Sequence, residues 1–232
     1  IQFTRNNGDW LKNELADNPT ISSCLNFCSN AQINGNEILC ITGVYSVTSE
    51  ANPSLTVWSI SQGGNLATIV PNGNQVTLNQ TNPNQSGYIT LNVTYSNDRC
   101  GSATVTKTIW VGKPKYNNNT MNGLDQVNKK ATATYSFNTP SQGSEYYVWS
   151  ISPVSTSCGC YTDTNGLIIC PPNTITPKFL ENNAYSYTTN STGVSINTGN
   201  CNGLYLIQCF AYNQCGYILA SGKYINVVDC IE

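Results

Sequence analysis

The chain contains no histidine and a single methionine, and only 9% of its 232 residues are charged. Without histidine, neither a Ser-His nor a Cys-His nucleophile pair can be assembled. Ten basic residues against twelve acidic ones leave a net charge of −2. No basic patch is available to neutralise phosphates, so nucleic acid is not an expected partner. No apolar run approaches the roughly 20 residues a membrane-spanning helix needs, so no membrane span is expected. C-x-x-C knuckles are missing too: the closest spacings are Cys24-x-x-x-Cys28 and Cys158-x-Cys160. All-cysteine zinc sites want paired knuckles, and neither a metal nor a cofactor is expected. Asp163-Thr164-Asn165-Gly166 has the start of a calcium loop but not its further acidic positions; a hairpin turn between Tyr161 and Leu167 explains it better. The twelve carboxylates are scattered, and strand geometry converges no two of them into the facing pair a glycosidase requires. The expected chemistry is non-catalytic.

Cysteine, by contrast, is plentiful. Eleven in a chain this long, without knuckles or histidine, point to disulfides and an oxidising, extracellular or cell-surface setting. The odd count leaves at least one thiol free or paired outside the chain. Asparagine reaches 33 residues and tyrosine 14, a composition suited to turns and exposed sheet faces. Residues 1–30 read as a linker, in which Asp9 can cap a short helix through Ala16 with Trp10 and Leu15 on one face. Trp10 is a candidate docking residue there, and Cys24 and Cys28 can close a small loop. The start at Ile1 reads as a fragment or a mature segment.

The string Val-Trp-Ser-Ile-Ser occurs twice, at Val57–Ser61 and Val148–Ser152, and a Cys-Gly pair and a closing apolar strand follow each copy. One β-domain is written twice. Period-2 alternation at short spacing, punctuated by Gly, Pro and Asn, predicts an all-β chain of two tandem sandwiches. Their expected bounds are 31–114 and 131–232, joined by a polar connector over 115–130. Trp58 and Trp149 are expected in the two cores. Leu91, Val93 and Tyr95 should share a face, and Tyr205, Ile207, Cys209 and Ala211 should face the second core. Cys209 is therefore the candidate free thiol. Trp110 is expected to pack at the joint. Trp149 to Cys215 is longer than Trp58 to Cys100 by 24 residues, placed near 155–200. Insertions on a rigid frame are where binding surfaces tend to sit, so Tyr161, Tyr185 and Tyr187 are the candidate binding residues.

The pattern Ile38-Leu39-Cys40, Gly43-Val44-Tyr45-Ser46-Val47, Val57-Trp58-Ser59-Ile60-Ser61, Cys100-Gly101 and Thr108-Ile109-Trp110-Val111-Gly112-Lys113-Pro114 resembles the PKD-like and immunoglobulin-like repeats of large secreted proteins of Bacteroidetes. The second copy keeps Trp149-Ser150-Ile151-Ser152, the turn through Cys215-Gly216 and the last strand, but not the opening Ile-x-Cys. The resemblance implies stalk, adhesin or spacer domains exported by the type 9 secretion system and exposed at the outer membrane. It implies a Cys40–Cys100 disulfide and, by position, a partner for Cys215 in the insertion, Cys158 or Cys160. Cys170 is a candidate partner for Cys201, and Cys230 for a neighbouring segment. Expected partners are other domains of the same long chain, a cell-surface or outer-membrane protein, or glycans. An accessory module of a larger secreted assembly, binding carbohydrate or docked on a membrane complex, is the alternative.

Overall fold

The computed structural model describes residues 31–47, 55–97, 101–156, 161–166, 168–169 and 177–229. The chain divides after Gly112 into two compact units. No α-helix occurs among the described residues, and the helix expected within 9–16 lies outside them.

The first unit runs through β1 (Ile38–Leu39), β2 (Thr42–Ser46), β3 (Val57–Gln62), β4 (Ala67–Asn72), β5 (Gln75–Gln80), β6 (Gly87–Asn97) and β7 (Gly101–Val111). One sheet has the order β1-β7-β6-β3 and the other β2-β5-β4. With seven strands in chain order, the second, fifth and fourth form one sheet and the third, sixth and seventh the other. That is the immunoglobulin arrangement, with the first strand parallel to the last. Alternation decides which side chains enter the space between the sheets. Tyr45 and Val47 point in while Val44 stays 59% exposed, and Trp58 points in while Val57 is 64% exposed. Ile89, Leu91, Val93 and Tyr95 of β6 meet Val76 and Leu78 of β5 in one core.

The second unit repeats the frame. Its strands are β8 (Gln126–Asn128), β9 (Thr132–Ser136), β10 (Tyr146–Thr156), β11 (Tyr161–Thr162), β12 (Ile168–Ile169), β13 (Lys178–Phe179), β14 (Ser186–Thr189), β15 (Gly193–Asn197), β16 (Gly203–Asn213) and β17 (Gly216–Val228). The sheets have the orders β14-β10-β16-β17-β8 and β13-β15-β9, and β11 and β12 form a separate hairpin. Tyr205, Ile207, Cys209 and Ala211 are fully buried in a core with Trp149, Phe137 and Ile196.

Segment 115–130 is more than a polar connector. Its residues 126–128 form β8, parallel to the last strand, as β1 is in the first unit. The Asn122 N–H and C=O exchange bonds with Ser136, just as Asn34 does with Ser46. The second sandwich therefore begins about ten residues before Ala131. Sequence alone hid this because a three-residue strand flanked by polar residues shows too little alternation to register. The insertion adds the β11–β12 hairpin and edge strand β14. Asp163 turns the hairpin: its carboxylate accepts from the Asn165 N–H at 2.9 Å and its carbonyl from the Gly166 N–H at 3.1 Å.

Candidate functional site

The two copies can be compared strand against strand because their registers coincide. Trp58 stands opposite Val93 and Trp149 opposite Cys209; Ser59 stands opposite Asn92 and Ser150 opposite Gln208. Inward positions are largely apolar in both units and alike even in their exceptions, Lys107 opposite Leu91 and Lys223 opposite Ile207. Outward positions on the larger sheet are not alike.

In the first unit β6 and β7 present mostly small polar side chains on that outward face, with Val57 of β3 opposite Thr94 and the Tyr88–Trp110 pair at one end. Ser96 pairs with Ser102, Thr94 with Thr104, Asn92 with Thr106 and Thr90 with Thr108; the Thr94 and Thr104 hydroxyls lie 2.9 Å apart. At the equivalent places in the second unit Tyr212 pairs with Tyr217, Phe210 with Leu219, Gln208 with Gly222 and Leu206 with Tyr224. Strand β10 adds Tyr146 opposite Tyr212 and Val148 opposite Phe210. Six polar positions, at Thr90, Thr94, Ser96, Ser102, Thr104 and Thr108, thus become apolar or aromatic on one frame.

The rings form a continuous stack across three strands. Tyr146 and Tyr212 lie 5.3 Å apart at 7°, Tyr212 and Tyr217 4.9 Å apart at 30°, and Phe210 meets Tyr217 edge-on at 5.9 Å. Tyr217, Leu219 and Tyr224 remain 54%, 44% and 58% exposed. Cross-strand aromatic pairs stabilise a sheet by about 0.2–1 kcal/mol each, but the same frame closes over threonine pairs in the first unit. Fold maintenance therefore does not require this face. Among the described residues no charged side chain sits within it. At its margin the Glu145 carboxylate accepts from the Gln214 N–H at 2.8 Å, and the Lys113 stem lies over Gly216.

The residues singled out from sequence fall elsewhere. Tyr187 stands opposite Trp149, on the inner side of the sheet, and packs on Phe179 at 6.2 Å. Tyr185 is partly exposed with the Lys178 ammonium 5.5 Å from its ring. Tyr161 starts the insertion hairpin opposite Ile169. Trp58 and Trp149 are buried, the first donating from its indole to the Gly73 carbonyl at 3.0 Å. Trp110 is also buried, edge-on to Tyr88 at 4.8 Å and donating to the Gly112 carbonyl. Cys40, Cys201 and Cys215 are disulfide-bonded, and Cys209 is a buried free thiol. Trp10, Cys24, Cys28, Cys100, Cys158, Cys160, Cys170 and Cys230 lie outside the described residues. The aromatic stack was within reach of sequence reasoning: the two Val-Trp-Ser-Ile-Ser copies fix an alignment whose outward positions, Thr94 against Phe210 and Ser96 against Tyr212, differ in kind.

Five of the six described acidic side chains, all but the exposed Glu37, do local structural work. Asp125 pairs with Lys223 at 2.6 Å and Asp229 with Lys129. Glu181 accepts from the Ser195 N–H at 3.2 Å, and Asp163 and Glu145 brace turns as described. The displaced titrations run away from neutrality. Burial pushes the Cys209 thiol up and the Tyr45 phenol up to about 12. Hydrogen bonds from Lys129 and then Asn202 hold Asp229 below its ordinary value. General acid–base work needs the opposite displacement. Among the described residues no group of three potential metal ligands occurs.

No protein-family model matches the sequence, and no curated protein does. Solved structures are similar to it. Murine CEACAM1b is 11% identical over 86% of this chain and 100% of its own, with a TM-score of 0.35. The Escherichia coli adhesin FdeC is 15% identical over 87% of this chain and 64% of its own, with a TM-score of 0.34. The Yersinia pseudotuberculosis adhesin InvE is 12% identical over 86% and 59%, with a TM-score of 0.32. The chain therefore spans about three fifths of the two adhesin structures. At these TM-scores the likeness carries no functional argument, and the immunoglobulin-like assignment rests on the strand order above.

Proposed function

We propose that the chain is a non-catalytic adhesive and structural segment of a secreted, cell-surface bacterial protein, of the tandem immunoglobulin-like and PKD-like class that Bacteroidetes export by type 9 secretion. Adhesion is assigned to the outward face of β10, β16 and β17. The observation that carries this reading is the contrast between copies: where one unit has Thr94, Ser96, Ser102 and Thr104, the other has Phe210, Tyr212, Tyr217 and Leu219, three of them in an aromatic stack. Disulfide-bonded cysteines support an oxidising location. Five of the six described carboxylates are committed to ion pairs and backbone hydrogen bonds, which supports a non-catalytic role.

The test is retention of protein-coated beads under flow on three surfaces: one coated with this chain, one with neutral polysaccharide, one with a bacterial outer-membrane preparation. A variant carrying the first unit's residues, Phe210→Thr, Tyr212→Ser, Tyr217→Ser and Leu219→Thr, serves as the control. Retention on at least one surface, lost in the variant, is the expected result. Absence of retention on all three, or turnover of a polysaccharide by the wild-type chain, overturns the reading.

A further inference from the structure

Resting on the adhesive reading, we propose that the aromatic face of the second unit binds the same face of a second copy of this chain, across a two-fold axis near the Phe210 and Leu219 row.

Ring geometry separates this occupant from a sugar. A pyranose stacks on an aromatic ring whose flat face is open. Here the flat faces are turned toward one another, Tyr146 on Tyr212 at 7° and Tyr212 on Tyr217 at 30°. What the stack offers outward is a ridge of ring edges and phenol hydroxyls. Ridges of this kind insert between side chains of a protein surface, where tyrosine supplies large contact area at low entropic cost.

The face also supplies the groove its own ridge needs. Along the strands the tall row Tyr146–Tyr212–Tyr217 is followed by Val148–Phe210–Leu219 and then by a low row, Ser150–Gln208–Gly222, in which β17 has no side chain. Ridge and low row are four residues apart, about 13 Å. A two-fold axis through the row midway between them lays each copy's ridge over the other's low row. Such an isologous contact uses one patch twice and closes on itself.

Charge and area point the same way. A dissimilar protein partner is usually selected and steered by charge; this face carries none among its described residues, so two copies meet without like-charge repulsion. Three strands about 4.8 Å apart, over eight residues of length, make a patch of roughly 14 by 26 Å. Doubled in a face-to-face contact, it buries roughly 700 Å² in total, at the low end where weak, transient interfaces lie. Weak pairing suits adhesion by many copies at once, where avidity multiplies individually short-lived contacts.

The experiment is sedimentation equilibrium of the whole chain from about 5 to 500 µM, a range chosen for weak, transient pairing. Wild type is expected to shift from monomer to dimer. Leu219→Lys, at an exposed outward position, places two positive charges beside the axis and should weaken pairing about tenfold or more. Leu219→Glu should do the same alone, and an equimolar mixture of the two variants should pair again. Tyr217→Ser, with the first unit's residue, is the second variant should either charge disturb folding, which circular dichroism reports; it too should stay monomeric. A wild type that is monomeric throughout overturns the proposal, as does a dimer indifferent to both Leu219→Lys and Tyr217→Ser, or variants whose mixture fails to restore pairing. Monomeric wild type that still holds to polysaccharide or outer membrane through this face removes the self-contact and leaves the adhesive reading standing.

Discussion

Trp58 and Trp149 occupy equivalent core positions and differ by one hydrogen bond. The Trp58 indole N–H donates to the Gly73 carbonyl at the β4–β5 turn. The Trp149 indole N–H, fully buried and with its ring stacked on Phe137 at 5.8 Å, finds no acceptor among the described residues. A buried donor left unpaired costs about 1–3 kcal/mol, while a made bond contributes about 1 kcal/mol net. Replacing tryptophan by phenylalanine removes similar apolar area at both places, but removes a contact at one and a penalty at the other. Trp58→Phe should therefore destabilise the chain by at least about 1 kcal/mol more than Trp149→Phe. Urea midpoints of the two variants check this, and equal losses would mean that the Trp149 nitrogen has a partner after all. Cys209, beside Trp149 in the register and standing where the first unit has Val93, belongs to the same packing problem. Its thiol is a small apolar group held from solvent.

Two glycines show how an element boundary is set by a ring. Gly35 and Gly123 precede the second and ninth strands at φ of 139° and 131°. A β-carbon on Gly35 would lie 2.3 Å from Cδ1 of Tyr45, and one on Gly123 2.4 Å from Cδ1 of Tyr135. In each unit a tyrosine of the strand lies under a glycine of the opening segment, and the preceding asparagine closes the bridge. Gly35→Ala and Gly123→Ala combine a strained backbone with overlap of a buried ring, so each should cost about 3 kcal/mol or more, read as a fall in the thermal midpoint of the unit concerned. An unchanged midpoint would show that the tyrosine moves aside freely. This pairing explains part of what the sequence withheld. Asn-Gly and Tyr-Ser occur in both copies, but ten residues separate Gly35 from Tyr45 and twelve separate Gly123 from Tyr135, and the unequal spacing conceals the repeat. Strand positions and their inward faces were legible, because period-2 alternation is a local property. Of the aromatic stack, only single outward differences such as Thr94 against Phe210 and Ser96 against Tyr212 could be read by aligning the copies; that Tyr146, Tyr212 and Tyr217 adjoin follows from cross-strand register. Tyrosine in a strand is otherwise ordinary.

Each unit closes its own core, and each core holds tyrosines whose phenols resist ionisation. Burial raises Tyr45 to about 12 in the first unit. In the second, burial and then the nearby Asp125 charge raise Tyr135 to about 12, and burial raises Tyr205. An unfolded tyrosine ionises near 10. Folding therefore favours the protonated phenol, and the sign of the linkage follows: the stabilisation is complete below pH 10 and is lost as pH rises from about 10 to about 12. With buried phenols in both cores, alkaline loss should reach both units rather than one. Urea unfolding followed at pH 9, 10, 11 and 12 should show midpoints that fall over the last two steps. Tyr45→Phe should flatten the fall in the first unit alone and Tyr135→Phe in the second, although the latter also gives up the phenol's bond to the Leu124 carbonyl at 3.0 Å. A decline confined to one unit, or one untouched by both substitutions, would locate alkaline sensitivity outside these cores.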